Sequence, residues 1–280
     1  MNIQTAINGA SELLKKNFIK SAKLDSEILL SKVIKKDRKY IILNLDKELK
    51  NKNLILFNDL ITKRSLGKPI AYLIGKKYFW NHEFIVSDKT LIPRPDTEIL
   101  IEEILKITKQ KSKLKILDIG TGSGCILLSI LKEKKDFYGT GIDISNKCIE
   151  TSKINASKLK LLSRVRFFKS NVDNFFYGKY DLIISNPPYI KKLDLKYLDR
   201  DVINFEPKLA LDGGLDGTSE IRKVINRSSG LIKKNGKLIL EIGINHKQKV
   251  KKLLKDKGFY INKVLKDYAN NDRCIVSTKI

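Results

Sequence analysis

The sequence has little of the residues on which disulfide, metal and histidine chemistry depend. Its only cysteines are Cys125, Cys148 and Cys274, and they form no Cys-x-x-Cys pair, so neither a disulfide framework nor a zinc site is expected. The only histidines are His82 and His246, which argues against a histidine-rich metal or base site, and each is interpreted as a surface or packing residue. The sequence therefore predicts a reduced, cytosolic protein without a bound metal.

Long apolar runs are missing as well. No run approaches the roughly 18 residues that a membrane helix needs. The N-terminal Met1-Asn-Ile-Gln-Thr lacks the basic-then-apolar order of a signal peptide. Apolar residues nevertheless make up 42% of the chain, which is ample for a buried core. We therefore expect a cytoplasmic protein that does not enter a membrane.

The charge is strongly of one sign. The chain has 56 Lys and Arg against 31 Asp and Glu, a formal net charge of +25. Such a charge suits a nucleic-acid partner through counterion release. The lysines are scattered over the whole chain, however, alongside abundant Ile and Asn, which is typical of a compositional bias in the coding sequence. We do not expect direct nucleic-acid binding, although the charge leaves it open.

The first 70 residues show helical periodicity. Apolar residues repeat at helical spacing at Ala6, Ile7, Ala10, Leu13, Leu14 and Phe18. A second helix is predicted after an N-cap at Ser21 and another over residues 52–65, whereas Tyr40-Ile-Ile-Leu is ambiguous. No catalytic constellation occurs here. The segment is interpreted either as a helical domain that holds a partner or as a stabilising cap, and by itself it does not decide between them.

Residues 71–92 have a different composition. Aromatic and β-branched residues dominate, and Asn81-His82 supplies a turn, so this segment predicts a β-hairpin linker. Pro95 then suits the start of a helix that runs from Asp96 to about Lys109, with acidic residues in its first turn.

From residue 113 onward, apolar runs that predict strands alternate with amphipathic segments that predict helices. The predicted strands are 114–119, 138–144, 165–168, 180–185, 236–242, 259–264 and 273–278. The predicted helices are 123–133, 147–159, 218–232 and 247–257. Repeated βα units imply an α/β fold with a doubly wound, mainly parallel sheet, and we expect the last strand to be antiparallel.

A glycine-rich loop lies between the first of these strands and its helix. In Asp118-Ile-Gly-Thr-Gly-Ser-Gly-Cys125, the glycines allow a tight turn and close approach of a ligand. Asp143 ends the next strand. It follows the glycine loop by about 20 residues, the spacing at which an acid contacts ribose hydroxyls in nucleotide-binding folds. No Gly-Lys-Ser/Thr follows, which disfavours a nucleoside triphosphate. A glycine turn beside a solvated acid is the structural alternative.

This pairing resembles the S-adenosyl-L-methionine site of class I methyltransferases, which have a Rossmann-like sheet. The resemblance implies that the cofactor is bound by the loop and by Asp143. It also implies adenine contacts after the third strand, where this chain has Asn171 and Val172. The residues concerned in the loop are Gly120, Thr121, Gly122, Ser123 and Gly124.

The motif Ser185-Asn-Pro-Pro-Tyr189 follows another predicted strand. Two prolines cannot continue a sheet, so the chain turns rigidly at the carboxyl end of that strand, where ligands sit in α/β folds. The side-chain oxygen of Asn186 and the carbonyl of Pro187 can together accept both hydrogens of an –NH2 group, and Tyr189 offers a flat face for a planar amide or base. The motif resembles the Asn/Asp-Pro-Pro-Tyr motif of amino-group methyltransferases. A strand-ending turn with a packed tyrosine is the structural alternative.

Taken together, the motifs resemble the bacterial peptide-chain release factor glutamine N5-methyltransferase family over nearly the whole chain. The matching segments are 67–75, 91–98, 118–124, 186–189, 205–217 and 241–243. The resemblance implies three parts: a helical substrate-docking domain at 1–70, a β-hairpin linker at 71–92 and a methyltransferase domain at 93–280.

The family resemblance also implies an activity. The enzyme would methylate the glutamine of the Gly-Gly-Gln motif in class 1 release factors with S-adenosyl-L-methionine, forming S-adenosyl-L-homocysteine. Asn186, Pro187 and Tyr189 would be catalytic, Asn186 would also contact the cofactor, and Asn186 with Pro187, Pro188 and Tyr189 would frame the glutamine amide. The alternatives are an adenine N6 methyltransferase acting on DNA or RNA, and an inactive binding module with the same fold.

Overall fold

A computed structural model describes all residues, 1–280, as eleven α-helices and nine β-strands. The helices are α1 (Ile3–Lys16), α2 (Ala22–Ile34), α3 (Arg38–Leu43), α4 (Asn51–Ser65), α5 (Ile70–Ile74), α6 (Glu98–Ile107), α7 (Cys125–Glu133), α8 (Asn146–Lys158), α9 (Arg200–Phe205), α10 (Ser219–Leu231) and α11 (Lys247–Asp256). The strands are β1 (Lys76–Phe79), β2 (His82–Ile85), β3 (Lys115–Ile119), β4 (Tyr138–Asp143), β5 (Val165–Lys169), β6 (Tyr180–Ser185), β7 (Ile232–Glu241), β8 (Phe259–Lys266) and β9 (Asp272–Lys279). None of the helices is both long and apolar enough to span a membrane.

The chain forms two compact units. One comprises Met1–Lys76 together with Asp199–Phe205, and the other comprises Lys77–Leu198 and Glu206–Ile280. The first unit contains α1 to α5 and α9, and the second contains the large sheet and the remaining helices.

The first unit is a helical bundle around its own core. Asn2 caps α1 by accepting a hydrogen bond from the backbone N–H of Thr5, and the apolar face of α1 is buried. Its fully buried large side chains include Leu14, Leu29, Leu30, Ile41 and Phe57. The ambiguous segment at Tyr40 is helical, as α3.

Two details of this region differ from the sequence-based predictions. Ser21 occupies the N-cap position of α2, but its side chain makes no capping hydrogen bond. Residues 70–74 form helix α5, because Pro69 suits a helix start and Gly75, with a φ of 79°, ends it in the left-handed region. The hairpin is therefore confined to β1 and β2 rather than filling residues 71–92.

The second unit is built on a seven-stranded sheet of order β5-β4-β3-β6-β7-β9-β8. The pairs from β5 to β7 are parallel, and β9 runs antiparallel to both of its neighbours, which confirms the predicted mainly parallel sheet with an antiparallel last strand. The chain winds outward from β3 to β5 and then returns to the other side of β3 as β6. This reversal is the position where open α/β sheets bind ligands.

Both faces of the sheet are covered. One buried cluster joins the sheet to α6, α7 and α8, and the other joins it to α10 and α11. Helix α9 lies in a stretch, between β6 and α10, for which the sequence predicted no element.

Candidate active site

The carboxyl ends of four parallel strands meet at one edge of the sheet. Ile119 at the end of β3 pairs with Ile142 of β4 and Ser185 of β6, and Asp143 pairs with Lys169 of β5. The loops that follow these strands therefore start side by side. The predicted site segments begin here: residues 120–124, 143, 171–172 and 186–189.

The glycine loop joins β3 to α7. Gly120, Gly122 and Gly124 all have positive φ angles, which L side chains adopt only with strain. A Cβ at Gly120 would meet nothing within 4 Å, whereas one at Gly124 would lie 3.0 Å from Leu128 Cδ1. The loop thus leaves bare backbone at its start, where a ligand can approach, and packs tightly against α7 at its end.

Asp143 is tied directly to this loop. Its carboxylate accepts hydrogen bonds from the backbone N–H of Gly122 and of Ser145, both at 2.9 Å. Burial raises the pKa of Asp143, and the hydrogen bonds from Ser145 and Gly122 oppose that effect. Because each carboxylate oxygen has a second lone pair, the side chain can still accept from ligand hydroxyls.

Two buried polar atoms of the same segment have no partner, Asp118 Oδ1 and Ser123 Oγ. The other carboxylate oxygen of Asp118 accepts from Thr121 Oγ1 at 2.7 Å. Burial raises the pKa of Asp118 to about 7 despite that hydrogen bond, and Asp143 adds to the rise. The interior of this segment therefore keeps unused hydrogen-bonding capacity next to the glycine loop.

Asn171 and Val172 follow β5. The side-chain oxygen of Asn171 accepts a hydrogen bond from the backbone N–H of Asp173 at 3.1 Å, which leaves it one further lone pair. The Val172 carbonyl accepts from Arg227 Nε at 3.1 Å, and its side chain packs against the core of that face. Their contacts to an adenine ring remain a prediction.

The Asn-Pro-Pro-Tyr turn leaves β6 next to the glycine loop. The Ser185 hydroxyl donates to the carbonyl of Ile119 at 2.7 Å, which fastens the end of β6 to the end of β3. Asn186 is half-buried and Pro187 is buried. The first residue of the motif therefore lies where the strand order reverses, between β3 and β6.

Two other motif segments pack around Tyr189. A Cβ at Gly213 would lie 2.7 Å from the Tyr189 Cα, and one at Gly243 would lie 2.9 Å from its Cδ2. Ile190 bridges to Asp212 in parallel, so residues 212–217 run alongside the turn. The glycines of these segments allow the backbone to approach the tyrosine closely.

A hydrogen-bond network connects Asn186 to Tyr189 through residues that the sequence did not single out. Asn186 Nδ2 donates to Thr97 Oγ1 at 3.2 Å, and Thr97 Oγ1 donates to Glu241 Oε2 at 2.7 Å. Tyr189 donates through its hydroxyl to Glu241 Oε1 at 3.2 Å and accepts from Arg273 Nη1 at 3.3 Å. The two ends of the motif are thus held by one carboxylate.

Glu241 is the buried centre of this network. Burial raises its pKa to about 7, opposed by the hydrogen bond from Thr97 and by the positive charge of Arg273. Burial and the neighbouring Glu241 also raise the pKa of Tyr189, so its phenol stays protonated and donates. Arg273 is held in turn by Asp267 at 2.8 Å.

The sequence indicated only some of the residues in this network. Thr97 lies in segment 91–98 and Glu241 in segment 241–243, both of which match the family, but neither segment indicates what its polar residue contacts. Arg273 had no local signal. The sequence also did not indicate the ion pair between Arg94 and the buried Glu206, which joins segments 91–98 and 205–217.

Comparisons with known proteins place these features in a family. Residues 5–75 match the PrmC N-terminal domain and residues 92–214 the Methyltransferase small domain. A release factor glutamine methyltransferase of Buchnera aphidicola subsp. Baizongia pistaciae is 41% identical over 283 residues, which cover 100% of each protein. One of Clostridium acetobutylicum is 37% identical over 282 residues, covering 100% of this chain and 99% of that protein.

A solved structure shows the same fold. The crystal structure of a methyltransferase from Pyrococcus furiosus has a TM-score of 0.52 and 21% sequence identity, and the match covers 70% of this chain and 89% of that chain. The sequence relatives go further, because they align with this chain from end to end, across both the helical segment and the sheet. The chain belongs to the release factor glutamine methyltransferase family.

Proposed function

We propose that this protein transfers a methyl group from S-adenosyl-L-methionine to the side-chain amide nitrogen of the glutamine in the Gly-Gly-Gln motif of class 1 release factors. The full-length relatives named for that activity support the proposal. The observation that carries it is the position of Asn186-Pro-Pro-Tyr189, at the sheet edge beside the glycine loop. Because release factors act in translation, the proposed place of action is the cytoplasm.

The cofactor is assigned to residues 120–124 and Asp143. The bare backbone at Gly120 and the acceptor capacity of Asp143 suit the amino acid and ribose parts of this molecule. When bound, it supplies an electrophilic methyl group on a sulfonium. Asn171, Val172 and Asn186 complete the proposed contacts.

The acceptor site is assigned to Asn186, Pro187, Pro188 and Tyr189. An amide nitrogen is a poor nucleophile because its lone pair is delocalised, so orientation contributes much of the rate. Asn186 Oδ1 and the Pro187 carbonyl accept the two N–H hydrogens of the glutamine amide and aim its nitrogen. The same acceptors stabilise the positive charge that develops on that nitrogen. The nitrogen then releases one N–H proton to solvent, which leaves a neutral N-methyl amide, and the cofactor leaves as S-adenosyl-L-homocysteine. Tyr189, whose hydroxyl is held by Glu241 and Arg273, presents its ring to the amide plane.

Residues 1–70 are proposed to dock the release factor. This segment has no catalytic group, but it exposes large apolar side chains: Phe18 is 92% exposed, Leu43 is 71% exposed and Ile55 is 70% exposed. Exposed aromatic and aliphatic side chains of this kind serve as anchors at protein interfaces.

The test is a labelling experiment. Purified protein is incubated with tritiated S-adenosyl-L-methionine and a release factor, and the labelled peptide is mapped by mass spectrometry. We expect one methyl group on the glutamine of the Gly-Gly-Gln loop. The control is a release factor in which that glutamine is replaced by alanine, which should take no label. Label on another residue would contradict the proposal, and label in DNA or RNA offered in a parallel reaction would favour the adenine alternative.

A further inference from the structure

The hydroxyl of Thr97 has a single hydrogen, and the ionised carboxylate of Glu241, which can only accept, determines where it goes. It is donated to Glu241 Oε2 at 2.7 Å. The oxygen of Thr97 is therefore left with lone pairs only, and any further partner must donate to it. Asn186 is that partner, at 3.2 Å.

Because Thr97 can only accept from Asn186, the Asn186 amide must place Nδ2, and not Oδ1, against Thr97. If the amide were reversed, Oδ1 would face a Thr97 oxygen that has no hydrogen to give. With Nδ2 on Thr97, Oδ1 is left without a protein donor and is available to the methyl acceptor. A reversed amide would present N–H groups to the –NH2 of the substrate, donor against donor, and could not hold it.

We propose that Thr97 and Glu241 are positioning residues that fix the side-chain amide of Asn186 with Oδ1 toward the methyl acceptor. This inference rests on the proposed function of Asn186 as an acceptor for an –NH2 group. Neither residue touches the substrate: Thr97 acts through Asn186, and Glu241 acts through Thr97 and also holds Tyr189.

In its ionised form Glu241 suits this role, because both of its oxygens then act as acceptors. Oε2 takes the hydrogen of Thr97 and Oε1 takes that of Tyr189. Only 2% of Glu241 is exposed, so no water competes for these hydrogens. One carboxylate thus sets the direction of hydrogen bonding at both ends of the motif, which couples the amide acceptor to the aromatic face.

The decisive variants are Thr97→Val, which keeps the shape of the side chain and removes the hydroxyl, and Thr97→Ser, which keeps the hydroxyl. For Thr97→Val we expect kcat to fall on the order of tenfold to a hundredfold, because Asn186 loses the contact that holds its amide in position, and a displaced orienting group costs a large factor in rate. For Thr97→Ser we expect kcat to stay within about threefold of the wild type. The KM for S-adenosyl-L-methionine should change little in either.

A matched control is Thr108→Val. Thr108, the residue that follows α6, is also buried, and its hydroxyl donates only to the carbonyl of Ile104 in that helix. Removing that hydroxyl costs a comparable buried hydrogen bond without touching the network, so kcat should remain at the wild-type level.

A second measurement separates positioning from a general loss of structure. In an Asn186→Ala background, Thr97→Val should change kcat by less than about twofold, because Asn186 is the only route by which Thr97 acts. A structural role would lower activity in both backgrounds alike. If Thr97→Val does not fold, Thr97→Ala, which also lacks the hydroxyl and is smaller, replaces it in the same cycle.

A third measurement does not depend on the substrate. In protein labelled with 15N-asparagine, the side-chain –NH2 signal of Asn186, assigned by its loss in Asn186→Ala, should exchange with solvent faster in Thr97→Val than in the wild type. Wild-type kcat in Thr97→Val, or an unchanged Asn186 amide signal, would overturn the positioning role. Failure of the wild type to methylate a release-factor glutamine would instead overturn the proposed function, and the amide measurement would still stand.

Discussion

The two halves of the site are built differently. The half that we propose binds the cofactor uses backbone N–H groups of a glycine loop and one acid from the adjacent strand, within a short stretch of chain: the Gly122–Asp143 bond spans 21 residues. The half that we propose binds the methyl acceptor uses side chains from distant segments, and the Thr97–Glu241 bond spans 144 residues. A backbone site depends on one loop conformation, whereas a side-chain site depends on the whole fold holding several elements in place. Substitutions in the two halves should therefore affect different properties of the enzyme.

The largest expected effect lies in the acceptor half. Asn186→Ala removes one preorganised acceptor and should lower kcat on the order of 10²–10³-fold. Cofactor affinity should fall by less than about tenfold, because one lost hydrogen bond is worth about 1 kcal/mol. Asn186→Asp, which keeps an acceptor oxygen, is the control and should retain partial activity. Steady-state kinetics, calorimetry and melting temperature on the same preparations separate these effects. A destabilised but fully active Asn186→Ala would show that the residue only ends a strand.

The next effect is the pH dependence of stability that Glu241 introduces. Its pKa is about 7 in the folded protein against an ordinary 4.5, so folding favours the protonated form. The contribution of Glu241 to stability is therefore complete below pH 4.5 and is lost as the pH rises to about 7. Relative to Glu241→Gln, the free energy of unfolding of the wild type should fall by up to about 3 kcal/mol over that range.

Denaturant unfolding at several pH values measures this difference. Asp96 and Arg273 are the charged neighbours of Glu241, and both are unchanged in the variant. A difference between wild type and Glu241→Gln that stays flat, or grows as the pH rises, would show that Glu241 is not held in a desolvated site.

A comparable change in the cofactor half should affect binding rather than turnover. Asp143→Ala should weaken S-adenosyl-L-methionine binding by about 1–3 kcal/mol, because the groups that hydrogen-bond to the carboxylate would be left without an acceptor in a partly buried site. At saturating cofactor, kcat should stay close to the wild-type value. Asp136→Ala is the matched control, since that carboxylate also accepts a backbone N–H, from Lys113, but at the opposite edge of the sheet. Unchanged affinity by calorimetry would remove Asp143 from the cofactor site.

The smallest effect is expected outside both halves. Phe18→Asn removes a 92%-exposed ring at a position with a φ of 62°, which asparagine tolerates well, so stability should not fall. If the helical domain docks the release factor, the KM for that protein should rise about fivefold to thirtyfold, the value of one aromatic anchor. Tyr268→Asn, at a ring 80% exposed in the second unit, is the control. An unchanged KM in Phe18→Asn would leave the domain as a cap or move the docking face elsewhere.

How much of each half could be predicted from the sequence depends on how far apart its residues lie in the chain. The glycine loop and Asp143 were predicted because loop, strand and acid are close in sequence, and parallel neighbours bring their ends together. The Asn-Pro-Pro-Tyr turn was predicted because prolines stop a strand wherever they occur. The roles of Thr97, Glu241 and Arg273 were not, since no local pattern indicates contacts between such distant positions.

The sequence by itself determined the βα alternation, the mainly parallel sheet and the stretches that end its strands, because hydrophobic periodicity, the conformational freedom of glycine and the rigidity of proline are local properties. The tertiary structure alone decided that β9 lies between β7 and β8, and that Thr97 meets both Asn186 and Glu241. These are matters of packing and of hydrogen-bond direction among distant residues, and such contacts exist only once the sheet has brought its strands together.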